Sequence, residues 1–260
     1  MPPNNIPYLS RSYSASPSAS AASAIKDHIL HENLKPGDPL PTEVQLREKL
    51  GVSRTAVREA IRQLSALHIV QVRHGYGMFV GDVSLQPLVE SLVFRGLLNP
   101  GDDARALREI VEVRKALDIA FAPAIVSSWR GKDSPELLSA VTTMEELAAI
   151  HKSFPKQDRF FHSELLAPLG NQLFRQLTEA FWDVHMLISP RMGVPTAEDI
   201  DVTANAHRQM YQAAVDGDVR AYESAVVRHY EPLLRTLEIY TTNHSKTQGI
   251  DETPQTDCAK

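Results

Sequence analysis

Three histidines and one aspartate stand at positions from which they could bind one metal ion. Asp158 and His162 are four residues apart, so on a helix both side chains leave from the same face. His207 and His229 lie ten residues before and twelve residues after Gly217. An antiparallel helical hairpin about that glycine would make them nearly level. Such a donor set suits zinc, nickel or manganese. On spacing alone, separate buried histidines remain the alternative.

Arg114 is the second candidate, because it lies in an apolar stretch of a predicted helix, among Val111, Val113 and Leu117. A guanidinium can bind a carboxylate through two parallel hydrogen bonds, which would suit a small carboxylate effector. The alternative is an ion pair within the protein, for which the neighbouring carboxylates are Glu109, Glu112 and Asp118.

A third group of residues could read DNA from the start of one helix. Ser53 is placed to cap this helix, and Thr55 lies beside it. Arg54, Arg58 and Arg62 recur every four residues and share a face, where they could meet phosphates and guanine edges. An apolar stripe faces the other way: Val57, Ile61 and Leu64. A solvated cationic helix face is the alternative interpretation of the helix taken alone.

The elements around this helix predict a winged helix-turn-helix over residues 23–81. Residues 1–22 are rich in Ser, Ala and Pro and are interpreted as a disordered tail. Helices are expected at 23–34, at 43–50 with Thr42 as its cap, and at 54–67, with a proline-rich loop at 35–41. Two β-prone runs, 69–73 and 78–80, surround a turn that contains Gly75 and predict a hairpin.

The rest of the chain predicts an all-α antiparallel bundle over residues 82–241, followed by a flexible tail at 242–260. Its amphipathic stretches carry no strand signal. The expected helices are 84–98, 103–129, 134–152, 155–167, 171–191, 196–216 and 218–241. The predicted fold is therefore mainly α, with a winged helix-turn-helix domain before a helical bundle.

Composition is compatible with two domains and with a DNA-reading head. The chain has 260 residues, of which 43% are hydrophobic, and a formal net charge of -5. Residues 23–81 carry eight Lys/Arg against six Asp/Glu, whereas residues 82–260 carry 18 against 26. No apolar run is long enough to span a membrane, and Cys258 is the single cysteine. We therefore expect a cytoplasmic protein without a membrane partner.

The first domain resembles the DNA-binding domain of the GntR family of bacterial transcription regulators. The matching positions are residues 35–43, Leu46, residues 51–61, Leu64 and residues 75–80. By this resemblance the DNA-contacting residues are Ser53, Arg54, Thr55 and Arg58, with His74 and Gly75 at the wing tip and Thr42 near a phosphate as a helix cap. One position departs: the family usually has an arginine where this chain has Val44, which predicts a shallower salt dependence of DNA binding.

The second domain looks like the FCD effector domain of the FadR-like GntR subfamily. The matching positions are residues 107–114, 117–118, 158–162, 170–171, 206–208, 213–221 and His229. The resemblance implies a divalent metal on Asp158, His162, His207 and His229, and an arginine at position 114 facing an effector pocket. Ala206 replaces a residue that is often acidic in the family. Further candidates for the pocket lining are His185, Arg191 and Asn205.

Together these features predict a homodimeric repressor of double-stranded operator DNA, released by a small organic acid bound beside the metal. Three alternatives remain. The metal itself could be the signal, it could only staple helices together, or the second domain could be a metal-dependent enzyme. We expect no enzyme, because no further general base of clear spacing is present and a DNA-binding head suits turnover poorly.

Overall fold

The computed structural model describes residues 16–98, 103–192 and 199–248, and divides the chain into two compact units, Met1–Pro87 and Leu88–Lys260. The first unit contains α1 (Pro17–His31), α2 (Glu43–Leu50), α3 (Arg54–Ala66), β1 (Val70–Arg73) and β2 (Gly77–Val80). Helix α4 (Gln86–Leu97) spans the division. The second unit continues with α5 (Asp103–Trp129), α6 (Pro135–Ala148), α7 (Pro155–Leu166), α8 (Gln172–Met192), α9 (Ile200–Asp216) and α10 (Val219–Gln248). The predicted fold class is confirmed.

The first helix begins six residues earlier than predicted, so the disordered tail assigned to residues 1–22 is wrong for residues 17–22. The Ser16 hydroxyl caps α1 by accepting a hydrogen bond from the backbone N–H of Ala19 at 3.2 Å, and Pro17 takes the first helical position. Ala21 and Ala22 are buried in the core of the first unit. These small residues, assigned to the tail, are therefore part of the core. Residues 1–15 lie outside the described residues.

The proline-rich loop before α2 is bonded to the hairpin. Strands β1 and β2 pair antiparallel, with Val70 opposite Val80. On the other edge of β2, the amide of Leu40 donates to the Met78 carbonyl at 2.8 Å, and the amide of Val80 donates to the Asp38 carbonyl at 2.8 Å. The amide of Gly37 also donates to the Val80 carbonyl at 2.9 Å. The loop thus covers an edge of the hairpin.

The segment that follows β2 is held against the end of α3. The amide of Gly81 donates to the Ile69 carbonyl at 2.8 Å, and the amide of Val83 donates to the His68 carbonyl at 3.0 Å. A Cβ atom on residue 81 would lie only 2.0 Å from the His68 carbonyl oxygen, so this approach requires glycine. His68 Nδ1 also lies 2.6 Å from the Ser84 hydroxyl oxygen.

The second unit follows the predicted helices closely, and its last two helices form the expected hairpin. Gly217, at φ +78°, ends α9, and its neighbour Asp218 donates its amide to the Ala213 carbonyl at 2.9 Å. Helix α10 continues to Gln248, so the tail predicted from residue 242 is wrong for residues 242–248. A polar composition does not exclude a helix, because the backbone groups of a helix bond to one another. Residues 249–260 lie outside the described residues.

Among the described residues, no helix combines the length and apolar character needed to cross a membrane.

Candidate metal centre and DNA-reading surface

Three helices bring the four predicted metal-binding residues to one point. Asp158 and His162 come from α7, His207 from α9 and His229 from α10. One donor atom from each lies within 4.8 Å of all the others. His207 Nε2 is 2.9 Å and His162 Nε2 is 3.7 Å from the same atom, Asp158 Oδ1. Donors that share an ion at about 2.1 Å lie within about 4.2 Å of one another, so small shifts would suffice.

Local helix geometry and an aromatic wall explain this convergence. The spacing of Asp158 and His162 places both on the inner face of α7, and Phe161 between them is fully buried. The Phe161 ring meets His162 and His207 edge-on, with ring centroids 5.6 and 4.9 Å apart. The rings of His207 and His229 lie 4.4 Å apart across the α9–α10 hairpin. These ring contacts therefore help to hold the imidazoles close together.

Two neighbours fix the orientation of these side chains. His207 Nδ1 lies 2.8 Å from the Thr203 carbonyl oxygen, which can only accept a hydrogen bond, so Nδ1 donates to Thr203 and Nε2 faces the cluster. The indole Nε1–H of Trp182, on α8, donates to Asp158 Oδ2 at 2.8 Å. The sequence pattern does not reveal the role of Trp182, because 24 residues separate it from Asp158.

The cluster leaves buried nitrogen atoms without partners. Within the described part of the chain, His162 Nε2 and His229 Nδ1 have no hydrogen-bond partner. Burial lowers the pKa of His162 to about 3 and holds the pKa of His229 well below its usual value. Burial would raise the pKa of Asp158, but the hydrogen bond from His207 and the charges of the histidines hold it well below its usual range. Neutral imidazoles, such as those of His162 and His229, beside an ionised carboxylate are the state in which these donors bind a divalent cation.

Arg114 is buried in α5 beside this cluster, and the ion pairs considered for it do not form with the two glutamates. Glu109 pairs with Arg95 and Arg105, and Glu112 pairs with Arg108. Within the described residues, Arg114 Nε and Nη2 have no hydrogen-bond partner. Burial would lower the pKa of Arg114, but Tyr230, Asp158 and Asp118 raise it. A permanent cation with unsatisfied donors is therefore held inside the domain.

A carboxylate and a phenol that sequence reasoning did not single out as a pair lie next to Arg114. The Tyr230 hydroxyl donates to Asp118 Oδ2 at 2.7 Å, and both residues are buried. Burial raises the pKa of Asp118 to about 6, although the Tyr230 hydrogen bond and the charge of Arg114 oppose this. The Arg114 guanidinium carbon lies 5.6 Å from the centre of the Tyr230 ring. Asp118 thus has its own hydrogen-bond donor.

The further candidates for the pocket lining have different outcomes. On α8, His185 Nδ1 and Ser189 Oγ are buried and lack hydrogen-bond partners among the described residues. Burial, followed by the charge of Arg114, lowers the pKa of His185 to about 4. Asn205 instead lies exposed on α9 and accepts a hydrogen bond from Gln209, so it does not join the buried group. The Arg191 side chain lies outside the described residues.

In the first unit, the start of α3 presents a compact polar surface. The Ser53 hydroxyl accepts a hydrogen bond from the Ala56 amide at 3.2 Å, and Arg54, Thr55 and Arg58 are exposed. Arg58 Nε lies 3.9 Å from Glu43 Oε1 at the start of α2. Opposite this surface, α3 buries the predicted apolar stripe in the core.

The same face includes the start of α2. Thr42 forms the predicted capping box: its hydroxyl accepts from the Gln45 amide, and the Gln45 side chain accepts from the Thr42 amide. Val44, which replaces the family's usual arginine, has an exposed fraction of 55%. The missing cation therefore leaves an apolar side chain at the surface, in the first turn of α2.

The hairpin tip is polar, exposed and shaped by glycine. His74, Gly75 and Tyr76 are all exposed, and Gly75 adopts φ +81°, a conformation that favours glycine. Behind the tip, the Arg73 guanidinium carbon lies 4.4 Å from the centre of the Phe79 ring. The structure thus places the predicted wing residues together at one turn.

Comparisons with known proteins identify both parts of the chain. Residues 17–80 match the family described as bacterial regulatory proteins, gntR family, and residues 109–232 match the FCD domain. NedR of Micromonospora viridifaciens, described as a transcriptional regulatory protein, is 40% identical over 117 residues, which span 45% of this chain and 84% of NedR.

Two relatives align over most of both domains. The galactonate operon transcriptional repressor of Escherichia coli is 24% identical, covering 82% of this chain and 93% of its own. LutR of Bacillus subtilis, an HTH-type transcriptional regulator, is 28% identical, covering 77% and 92%.

A solved structure agrees in fold. Streptococcus agalactiae GntR superposes with a TM-score of 0.60 at 24% identity, covering 84% of this chain and 99% of its own. The matched families and the named relatives are transcriptional regulators and not enzymes. The chain therefore belongs to the GntR family of bacterial regulatory proteins, as a DNA-binding transcriptional regulator that carries an FCD domain.

Proposed function

We propose that the protein is a homodimeric repressor whose affinity for operator DNA is controlled by a small carboxylate bound beside a divalent transition metal. The observation that carries this proposal is the convergence of Asp158, His162, His207 and His229, with donor atoms within 4.8 Å of one another, next to Arg114, two of whose nitrogens lack hydrogen-bond partners. A cation site and an anion site thus adjoin in one buried region.

The donor set fits zinc, nickel or manganese. Three imidazoles and one carboxylate are donors of intermediate softness, and all four ligands would come from rigid helices. The unpartnered nitrogens of His162 and His229 would gain a partner on metal binding, which removes an unfavourable feature of the metal-free domain. When bound, such an ion would supply a Lewis-acidic position for an oxygen of the effector.

Arg114 would bind the carboxylate of the effector. Its Nε and Nη2 atoms form one edge of the guanidinium, and two parallel N–H donors on one edge match the two oxygens of a carboxylate. The buried groups of His185 and Ser189 supply further polar contacts. Since one relative is named for a galactonate operon, hydroxylated acids are the first class to test.

In the first unit, Ser53, Arg54, Thr55 and Arg58 would contact the major groove from the start of α3. Thr42 would lie near a phosphate, and His74 and Gly75 would approach the adjacent backbone or minor groove. Two such units in a homodimer would read the two halves of a palindromic site.

The test is operator binding measured with and without each ligand. An operator is first selected from random duplex DNA, and acids are screened by thermal shift on metal-loaded protein. Binding is then measured without ligand, with metal, with acid, and with both. We expect acid plus metal to weaken binding roughly 5- to 150-fold, the usual range of allosteric coupling.

The same four measurements distinguish the alternatives. A metal effect on operator binding without any acid would favour a metal sensor. A metal that leaves operator binding unchanged but raises the melting temperature, measured separately by thermal shift, would favour a structural staple. Unchanged operator affinity at saturating concentrations of every acid would overturn the proposed control.

A further inference from the structure

We infer that Trp182 is a positioning residue that makes Asp158 a one-oxygen ligand and so keeps a coordination position open for the effector. This inference rests on the proposed metal centre. It concerns a residue on α8 that contributes no ligand atom itself, but that contacts a ligand side chain.

The two oxygens of the Asp158 carboxylate have different surroundings. Oδ1 faces the cluster, 2.9 Å from His207 Nε2 and 3.7 Å from His162 Nε2. Oδ2 accepts the indole N–H of Trp182 at 2.8 Å. An indole N–H can only donate, so it stabilises the carboxylate as an anion and occupies the oxygen that points away from the cluster.

The indole itself is held in place. The guanidinium carbon of Arg159 lies 5.0 Å from the centre of the Trp182 ring, and Arg159 forms an ion pair with Asp183 at 3.3 Å. Arg159 follows Asp158 on α7. Asp158 therefore contacts the N–H edge of the indole while Arg159 packs over its face. The hydrogen bond to Oδ2 is therefore preorganised.

Denticity matters here because the protein supplies four side chains. If Oδ2 were released, the carboxylate could bind an ion through both oxygens and fill one more position. An effector oxygen would then have one position fewer at which to bind the ion. Partners of metal ligands typically change metal affinity 10- to 100-fold when they are removed. Trp182 thus links the metal site to effector binding.

The experiment uses Co²⁺ alone as the probe, with the full-length chain and two variants. Trp182→Phe removes the donor, and Trp129→Phe is the matched control, because Trp129 donates its indole N–H to the Leu165 carbonyl at 2.8 Å and not to a ligand. Affinity is measured by competition with a chelator, and the visible spectrum of bound Co²⁺ reports its coordination number. Circular dichroism and melting temperature check the fold.

For Trp182→Phe we expect a roughly 10- to 100-fold loss of Co²⁺ affinity. We also expect a weaker visible absorption, because the coordination number of Co²⁺ would rise. Trp129→Phe should keep the affinity and spectrum of the unmodified chain. In that control Trp182 is the sole tryptophan, and one equivalent of Co²⁺ should quench its fluorescence. This second readout does not need Trp182→Phe to fold.

Three results would overturn the inference. Two of them apply when the unmodified chain binds Co²⁺ tightly. The first is that folded Trp182→Phe keeps the Co²⁺ affinity and spectrum of the unmodified chain, and the second is that Co²⁺ does not quench the fluorescence of Trp129→Phe. The first would refute the role of Trp182 and leave the metal centre standing. The second would mean that Co²⁺ binds away from Asp158, and would refute the proposed metal centre together with the inference. The third is failure of the unmodified chain to bind Co²⁺, which would refute the proposed metal centre and the inference with it.

Discussion

Replacing Arg114 by methionine should abolish the effector response while changing the stability of the metal-free protein little. Methionine fills a similar volume without charge. If Arg114 were half of a structural buried ion pair, its loss would cost about 3–5 kcal/mol, because an uncompensated charge would remain inside. A carboxylate clamp and a structural ion pair thus predict different losses in the free energy of unfolding when Arg114 is replaced.

The contacts of Arg114 support a small change in the free energy of unfolding. Two of its buried nitrogens lack partners, and each unsatisfied donor costs about 1–3 kcal/mol. Attraction to Asp118 and Asp158 offsets this cost. Those carboxylates keep their own donors, Tyr230 for Asp118 and both Trp182 and His207 for Asp158, when the arginine is removed. We therefore expect a net change in the free energy of unfolding within about 1 kcal/mol.

Urea unfolding of chelator-treated protein measures the stability change, and thermal shift with the strongest acid measures the effector response. The matched control is Arg108→Met on the same helix, because Arg108 is exposed and pairs with Glu112 at 2.9 Å. This control should keep its effector response. A loss of 3 kcal/mol or more in Arg114→Met, or an unchanged acid affinity, would refute the assignment of Arg114 as a carboxylate clamp.

Three further predictions concern pH, Gly81 and DNA binding. Lowering the pH from 7 to 5 should destabilise the metal-free protein in urea unfolding, because burial holds the pKa of His162 at about 3 and that of His185 at about 4, so the unfolded chain binds more protons below about pH 6.5. Each of these two groups contributes a slope of about 1.4 kcal/mol per pH unit below about pH 6.5, and Asp118, whose pKa is raised to about 6, offsets one of them below pH 6. His185→Phe should flatten the dependence, and a constant stability between pH 7 and 5 would contradict the burial argument. Gly81→Ala should destabilise the first unit by about 3 kcal/mol in thermal unfolding, because the new methyl group would overlap the His68 carbonyl. Gly96→Ala should be neutral or stabilising, because its methyl group would meet the end of the Ile188 side chain at 3.0 Å and the Ala106 methyl at an ordinary 3.6 Å; equal effects would refute the close contact. Val44→Arg should steepen the slope of log affinity against log salt by about 0.9 in operator titrations, and an unchanged slope would mean that position 44 does not reach a phosphate.

Periodicity and capping residues were sufficient to predict most of the fold. The capping box of Thr42 and the helix-ending Gly217 fixed element boundaries, because their chemistry acts over three or four residues. The start of α1 was missed for a tertiary reason. Ala21 and Ala22 are small and resemble tail composition, and only the surrounding core makes them buried residues.

In the candidate site, too, some features could be predicted from the sequence and others could not. Its ligand set could be predicted because Asp158 and His162 share one helix face and the hairpin about Gly217 levels the other two histidines. The contact of Trp182 with Asp158 could not be predicted, since it joins separate helices without any spacing rule. Nor did the sequence reveal that Glu109 and Glu112 would be paired elsewhere, which leaves Arg114 without them.

The hydrogen bonds between the proline-rich loop and β2 have a consequence for the conformational entropy that the protein loses on binding DNA. A two-stranded hairpin alone is only marginally stable in water. Here the amide of Leu40, in the loop, donates to β2, and the amide of Val80, in β2, donates to the loop. Their amides should exchange slowly with deuterated solvent, unlike the amides of the exposed tip. The wing would then meet DNA already ordered, and association would lose little conformational entropy at this end of the interface.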